Sequence, residues 1–172
     1  MKKNHKILYI VRHAKSSWDY DNIADVDRPL KVKGIKSAYE IAGKIRLKNN
    51  LPELILSSPA NRALHTAMIF TRVFDMPASQ VQIDEGFYES SVSYCIDKIR
   101  ITDDSVNTLM VFGHNPDFTE LANQFLKESL SDLPTTGTVK LEFSGDSWKT
   151  IDKSTLISHS FIFPIKEDGD LV

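Results

Sequence analysis

An arginine and a histidine, Arg12 and His13, directly follow an apolar run that occupies residues 7–11. A guanidinium matches the oxygens of a phosphoryl group with paired N–H donors, and an imidazole can serve as a nucleophile or a base. The pair therefore indicates an anion site with a candidate nucleophile. This stretch alone is equally compatible with two side chains that leave the core and meet solvent.

Two further junctions of this kind follow along the chain. Residues 54–56 form a short apolar run, and the Ser57-Ser58-Pro59 sequence after it predicts a helix start with Ser58 as N-cap and Pro59 in the first helical position. Arg62 then lies in or near the first turn, where free N–H groups already favour anions. Residues 108–112 form another apolar run, which ends at His114 and at Asn115, the predicted cap of the next helix.

The elements that position these residues alternate between strand and helix patterns. Apolar runs at 7–11, 54–56 and 108–112 are typical of strands buried on both faces, and helical apolar stripes follow each of them. Such repeats give parallel strands with right-handed crossovers, so the three junctions are predicted at one edge of one sheet. Residues 138–143 alternate as a half-exposed strand, and residues 148–151 are predicted as its partner.

Two arginines and two histidines at one sheet edge would repel one another unless an anion lies among them. Phosphate is the anion that suits arginine best. The long polar stretch between residues 14 and 33 lies directly after the first junction and contains a further arginine, Arg28, so we expect it to be a functional loop.

Composition excludes several functional classes. A chain of 172 residues with 41% hydrophobic content fits one domain, here predicted to span residues 1–172, and its formal charge of -2 argues against nucleic acid or an anionic membrane as a partner. The single cysteine, Cys95, excludes an internal disulfide and a thiolate metal cluster, and a buried apolar role is its default. The apolar run after Met1-Lys2-Lys3 is too short for a signal peptide, so we expect a soluble, cytoplasmic protein.

The ordered set of motifs resembles the histidine phosphatase superfamily, which has the phosphoglycerate-mutase-like fold. Arg12-His13-Ala14 stands where that superfamily carries Arg-His-Gly, with a mild departure at Ala14. The sequence is most similar to SixA-type phosphohistidine phosphatases over about residues 7–151. The resemblance is carried by the short length and by Asp27-Arg28-Pro29-Leu30, Ser57-Ser58-Pro59 with Arg62, Phe87-Tyr88-Glu89-Ser90 and Gly113-His114-Asn115-Pro116.

The resemblance implies a fold and a mechanism. The fold is α/β, a three-layer αβα sandwich with a mostly parallel central sheet and helices on both faces. His13, neutral and oriented through its other ring nitrogen by a backbone carbonyl, attacks phosphorus to give a phosphohistidine. Arg12 and Arg62 clamp the equatorial oxygens and protonated His114 donates a further hydrogen bond. Arg28, Ser17 and Asn115 assist in binding, and neither a metal nor another cofactor is required.

The leaving group needs a proton, and the sequence leaves its source open. Glu85 is the first candidate for the general acid, because it has the same place in the order of motifs as the acidic residue of larger relatives. Glu89 is a poorer candidate, and Asp25 in the long loop is the alternative to both. A phosphohistidine substrate has a good leaving group once its imidazole is protonated, so a dedicated acid is dispensable there.

Three hypotheses follow. The first is a phosphatase of phosphohistidine or of another phosphorylated protein side chain, because a short chain leaves little material for a lid over a metabolite. The second is a small-molecule phosphomonoesterase or mutase, and the third is a non-catalytic phosphate-binding module. A metal site at His13, His114 and Asp25 ranks last, since neighbouring arginines would repel the cation. The oligomeric state is not predicted.

Overall fold

A computed structural model describes residues 5–89 and 91–165 of the chain. Outside the described residues lie Met1-Lys2-Lys3 with Asn4, residues 166–172, and Ser90, the last residue of the Phe87-Tyr88-Glu89-Ser90 motif.

Six strands form one sheet, in the order β3-β2-β4-β1-β5-β6. They are β1 (His5–Arg12), β2 (Leu54–Ser57), β3 (Val81–Ile83), β4 (Thr108–Gly113), β5 (Thr138–Ser144) and β6 (Leu156–Ile162). The first four strands are parallel to one another, whereas β5 runs antiparallel to β1 and β6 runs antiparallel to β5. The predicted mostly parallel sheet is confirmed.

Four helices cover the two faces of this sheet: α1 (Val32–Arg46), α2 (Asn61–Val73), α3 (Val92–Arg100) and α4 (Asp117–Asn123). Tyr9 and Val11 of β1 belong to the core beneath α1 and α2. Leu8 and Ile10, which point to the opposite face, belong to the core shared with α3 and α4. The three-layer αβα sandwich is therefore confirmed. None of the helices in the described part of the chain is long and apolar enough to span a bilayer.

Burial on both faces explains why the strand runs are continuously apolar. Leu8, Tyr9, Ile10 and Val11 are all fully buried. Full burial of such a side chain stabilises the fold by roughly 1.5–3 kcal/mol, so the centre of β1 is firmly held. The residues that leave its carboxyl end are consequently presented from a rigid base.

Both predicted helix caps are wrong. Helix α2 begins at Asn61 with Ala60 as its N-cap, three residues after Ser58. Helix α4 begins at Asp117 with Pro116 as its N-cap, and no side chain caps it. The side chains of Ser58 and Asn115 instead form hydrogen bonds with residues outside these helices.

The predicted partner strand at residues 148–151 is also wrong. Residues Trp148–Thr150 form a short 3-10 helix, and the strand that pairs with β5 is β6. Trp148 is fully buried, and its indole N–H donates to the carbonyl oxygen of Val106 at 2.8 Å. This tertiary contact overrides the local strand pattern.

Candidate active site

The carboxyl ends of three adjacent strands meet at one edge of the sheet. Arg12 at the end of β1 pairs with Gly113 of β4, and Ser57 at the end of β2 pairs with Phe112 of the same strand. The residues that follow these strand ends consequently surround one cavity of about 350 Å³, here called the catalytic pocket. Its basic lining comprises Arg12, His13, Lys15, Arg28, Lys31, Arg62 and His114, and Ser16, Trp18, Asn115 and Thr135 complete it.

His13 is held by one contact of its main chain and one of its ring. The backbone N–H of His13 donates to the carbonyl oxygen of Gly113 at 3.0 Å, and ring atom Nδ1 lies 2.8 Å from the carbonyl oxygen of Ala14. Because a carbonyl oxygen can only accept, Nδ1 must carry the proton and Nε2 keeps its lone pair. The predicted carbonyl contact is present, and it leaves Nε2 as the nucleophilic atom.

Burial is the main reason why the His13 imidazole is neutral. Burial lowers the pKa of His13, the hydrogen bond to Ala14 opposes this as the next-largest effect, and the positive charges of Arg62, Arg12 and Arg28 add to the lowering, which leaves a pKa of about 4. A neutral ring is the form that can attack an electrophile. The environment thus supplies the protonation state that nucleophilic catalysis requires.

His114 is the second ring of the catalytic pocket, and its centroid lies 5.1 Å from that of His13. Its Nε2 lies 2.8 Å from the hydroxyl oxygen of Ser58, which also accepts from the backbone N–H of Ala60 at 3.2 Å. Among the described residues, the other ring nitrogen, Nδ1, is buried without a hydrogen-bond partner. An orphaned buried polar atom beside a cluster of arginines indicates a ligand position.

The expectation of a protonated His114 does not hold for this structure. Burial is the largest cause of a pKa of about 3 for His114, and the neighbouring His13 and Arg62 contribute to the same lowering. The ring is therefore neutral at pH 7.

Arg12 is anchored at one edge of its guanidinium. Its Nη1 donates to the carbonyl oxygen of Leu133 at 2.8 Å and lies 3.6 Å from a carboxylate oxygen of Asp132. Within the described part of the chain, its Nε is buried and unpartnered. Arg12 and His114 thus each line the pocket and each carry one buried nitrogen that has no partner among the described residues.

Arg62 and Arg28 converge on one carboxylate, that of Asp25. Arg62 donates to the Asp25 side chain at 2.9 Å and to its backbone carbonyl at 2.7 Å, and Arg28 donates to the other carboxylate oxygen at 2.9 Å. The Tyr88 hydroxyl adds a hydrogen bond at 2.8 Å. Burial alone would raise the pKa of Asp25, but the hydrogen bonds from Arg28, Tyr88 and Arg62 outweigh it and lower the pKa to about 2.

Arg28 also holds the long loop together. Its Nε donates to the carbonyl of Ser17 at 2.9 Å, and its Nη2 donates to the hydroxyl of Ser16 at 2.8 Å. The guanidinium stacks on the Trp18 ring at 3.1 Å from the centroid. A bridge between Ser16 and Leu30 closes the base of the loop.

Two of the other predicted binding residues act within the protein itself. Asn115 lines the catalytic pocket, but its amide donates to Asp132 at 2.8 Å and to the Leu133 carbonyl at 3.1 Å, which positions the carbonyl that Arg12 binds. The Ser17 hydroxyl donates to Asp19 at 2.7 Å and is not part of the pocket lining.

The structure does not bring Glu85 to the pocket lining. Glu85 begins a short 3-10 helix and is exposed, and Glu89 is exposed as well. Asp25 lies within reach of both arginines but is held as a carboxylate. Among the described residues, no group of three or more histidine, cysteine or acidic side chains could hold a metal ion, so the alternative of a metal site gains no support.

Comparison with known proteins agrees with this geometry. The family model of the histidine phosphatase superfamily (branch 1) matches residues 8–97. The chain belongs to this superfamily. Within the superfamily it is 33% identical, over 152 residues, to an uncharacterized protein of Mycobacterium tuberculosis, with 83% of this chain and 92% of that protein covered.

Solved structures of the superfamily share the fold. A SixA protein of Agrobacterium tumefaciens, named as a phosphohistidine phosphatase, superimposes with a TM-score of 0.77 and 27% identity over 92% of this chain and 98% of that one. A phosphoglycerate mutase of Bacillus anthracis superimposes with a TM-score of 0.59 and 16% identity over 83% of this chain and 89% of that one. The resemblance to SixA-type members is thereby confirmed, and phosphatase activity is supported.

Sequence reasoning missed several residues at this site, including the pocket-lining Lys15, Ser16, Lys31 and Thr135. Ser58 was assigned to a helix cap, although it contacts His114, and the Ser-Pro dipeptide gave no sign of this. Tyr88 holds Asp25, and Trp18 stacks on Arg28. The position of Trp18 in a polar loop was the available signal, since a large aromatic side chain there needs a partner.

Proposed function

We propose that this histidine phosphatase hydrolyses phosphohistidine, or another phosphorylated side chain, on protein substrates. The observation that carries the proposal is the state of His13: Nδ1 bound to the Ala14 carbonyl, Nε2 free of its proton, and a pKa of about 4. Such a ring is a nucleophile at neutral pH without help from a separate base.

In the first step, Nε2 of His13 forms a bond to phosphorus while the bond from phosphorus to the leaving group breaks. Arg62 and Arg28 exchange the Asp25 carboxylate for oxygens of the phosphoryl group, and Nε of Arg12 donates a further hydrogen bond. Preorganised donors of this kind stabilise the charge on the equatorial oxygens in the transition state.

Nδ1 of His114 adds a donor to the same phosphoryl group. A phosphoryl dianion beside the ring favours its charged form, which raises a pKa that burial, together with the neighbouring cations, otherwise holds low. In the second step water attacks phosphorus, the bond to Nε2 breaks, and inorganic phosphate leaves with the regenerated neutral His13.

The choice of substrate rests on the proton donors. An alkyl phosphate ester needs a general acid for its leaving oxygen, yet Asp25 is ionised and Glu85 lies outside the pocket lining. A phosphohistidine needs none, because its imidazole nitrogen is basic enough to take up a proton from water before the P–N bond breaks. The described residues therefore favour a phosphoramidate over an alkyl ester.

The test compares two substrates in the presence of EDTA: a protein phosphorylated on histidine and 4-nitrophenyl phosphate. We expect wild type to release phosphate from both, with the phosphoprotein preferred, and the His13→Ala variant to lose at least about a thousandfold in kcat. Retained turnover in the variant would overturn the nucleophile assignment. Release of phosphate from the aryl ester alone would favour a small-molecule phosphomonoesterase. Binding of phosphate without any hydrolysis of either substrate would favour a non-catalytic module.

A further inference from the structure

We propose that a groove beside the catalytic pocket binds the polypeptide that flanks the phosphorylated residue, and that it selects acidic side chains next to an apolar one. The groove, here called the lysine groove, has a volume of about 290 Å³. Its basic side is formed by Lys15, Lys33 and Lys36, and its apolar side by Pro134, Phe163 and Ile165. This inference rests on the proposed protein substrate.

The lysine groove adjoins the catalytic pocket. Lys15 and Thr135 line both of them. Lys15 is also only two positions from His13 along the chain. A phosphorylated side chain inserted toward His13 therefore leaves its own backbone above Lys15 and Thr135, with the neighbouring residues over the groove. At about 3.3 Å per extended residue, the first few flanking residues are those that reach it.

Charge determines which flanking residues fit. Lys33 and Lys36 lie in the first turns of α1, and this helix has no acidic residue in its first turn. The positive end of the helix dipole therefore adds to the lysine charges. The lining includes one acidic residue, Glu40, whose carboxylate is paired with Lys44 at 2.6 Å. The positive charges of Lys15 and Lys36 on this lining favour an acidic segment.

The apolar side of the groove distinguishes a polypeptide from a simple anion. Ile165 is 75% exposed, and Phe163 and Pro164 beside it are half-buried. Binding becomes more favourable when an apolar side chain of the ligand covers exposed apolar surface. A free phosphate ion or a nucleic-acid backbone has no such group. A protein segment with acidic and aliphatic residues satisfies both sides of the groove.

The experiment uses two synthetic phosphohistidine peptides of equal length. One has aspartate and leucine on both sides of the phosphohistidine, and the other has serine and asparagine there. We expect wild type to prefer the acidic peptide by about tenfold in kcat/KM, and Lys36→Glu to reduce this preference to about twofold, with Lys36→Gln in between. The kcat/KM for 4-nitrophenyl phosphate measures the catalytic pocket alone. Lys36 does not line this pocket, so its variants should leave that value unchanged.

Lys127→Glu is the matched control. Lys127 is exposed and lines neither the lysine groove nor the catalytic pocket, so the same charge reversal there should keep the tenfold preference. Circular dichroism of both variants checks that they fold. Raising the salt concentration should weaken the wild-type preference and leave the aryl ester unaffected.

Several outcomes would overturn the inference. An equal preference in wild type and Lys36→Glu, or equal rates for both peptides, would reject the lysine groove while leaving the phosphoprotein function intact. Hydrolysis of the aryl ester but of neither peptide would reject the proposed function itself. Residues 166–172 contain three acidic residues. If the preference emerges only after they are deleted, the groove takes this segment of the chain rather than a substrate.

Discussion

The hydroxyl oxygen of Ser58 lies 2.8 Å from Nε2 of His114 and accepts a hydrogen bond from the Ala60 N–H. An oxygen that already accepts from a backbone N–H is oriented to direct its own proton at the imidazole. Ser58 thereby holds the ring through Nε2 and leaves Nδ1 without a hydrogen-bond partner among the described residues. A side chain in the strand–helix connection consequently governs which ring nitrogen of His114 is left available.

Replacement of Ser58 by alanine should lower kcat by about tenfold, since one net hydrogen bond of roughly 1 kcal/mol no longer holds the ring. KM for 4-nitrophenyl phosphate should change less than kcat. Steady-state kinetics measure both, and Ser57→Ala is the matched control, because the Ser57 hydroxyl donates to the Ser58 carbonyl rather than to His114. Equal losses in the two variants would contradict the positioning role of Ser58.

The low pKa of His13 predicts activity that persists into mildly acidic solution. The neutral form is required, and with a pKa of about 4 it still makes up about 97% of the ring at pH 5.5, against about 9% for an ordinary histidine of pKa 6.5. We expect kcat/KM, corrected for ionisation of the substrate, to stay flat from pH 8 to pH 5.5. A tenfold fall across this range would show that His13 titrates normally.

The Asp25 carboxylate should both stabilise the fold and compete with substrate. Its pKa is lowered from 3.8 to about 2, so its stabilising contribution is fully present above pH 4 and is lost as the pH falls through 2. Because the side chain is 46% exposed, the contribution is less than about 1 kcal/mol. In urea unfolding, Asp25→Asn should therefore have a slightly lower free energy of unfolding than wild type at pH 7. This difference should shrink as the pH approaches 2.

The same variant should bind inorganic phosphate more tightly. A neutral amide competes less well than a carboxylate for Arg62 and Arg28, so we expect the inhibition constant of phosphate to fall severalfold in Asp25→Asn. Asp27→Asn, two residues away in the loop, serves as the control. An unchanged or weaker inhibition would mean that Asp25 does not occupy the place of the substrate anion.

Arg28→Lys tests the geometry of the guanidinium at constant charge. The lysine cannot reproduce the contacts with Ser16, Ser17 and Asp25 or the stacking on Trp18, so the free energy of unfolding should drop by roughly 1–3 kcal/mol and KM should rise. Arg46→Lys, at an exposed surface arginine, should be close to neutral. Denaturant melts and kinetics of both variants provide the comparison, and a silent Arg28→Lys would refute the structural role.

The sequence predicted the strand ends well because burial on both faces leaves an unmistakable apolar run. Arg12, His13, Arg62 and His114 follow from these runs, and the structure brings all four to one pocket. Their catalytic roles, the single domain and the cytoplasmic location stay predictions.

Sequence reasoning failed where tertiary contacts outweigh local preference. Ser58 and Asn115 have the composition of helix caps, yet their polar groups bind His114 and the 132–133 segment. Trp148 fits a strand pattern but is buried against the Val106 carbonyl. No local pattern encodes a partner that lies 17 or more residues away along the chain.

The bridge between Ser16 and Leu30, which closes the base of the long loop, has an evolutionary consequence. The Ser17 N–H donates to the Pro29 carbonyl at 2.8 Å, and the Lys31 N–H donates to the Lys15 carbonyl at 2.9 Å, so the two ends of the loop are fastened side by side. Residues 20–23 at its tip can then lengthen or change without disturbing His13. The tip of the loop is therefore the part that can diverge among related proteins and change which substrates they bind, while Asp25 and Arg28 keep their contacts with Arg62 and with the rest of the loop.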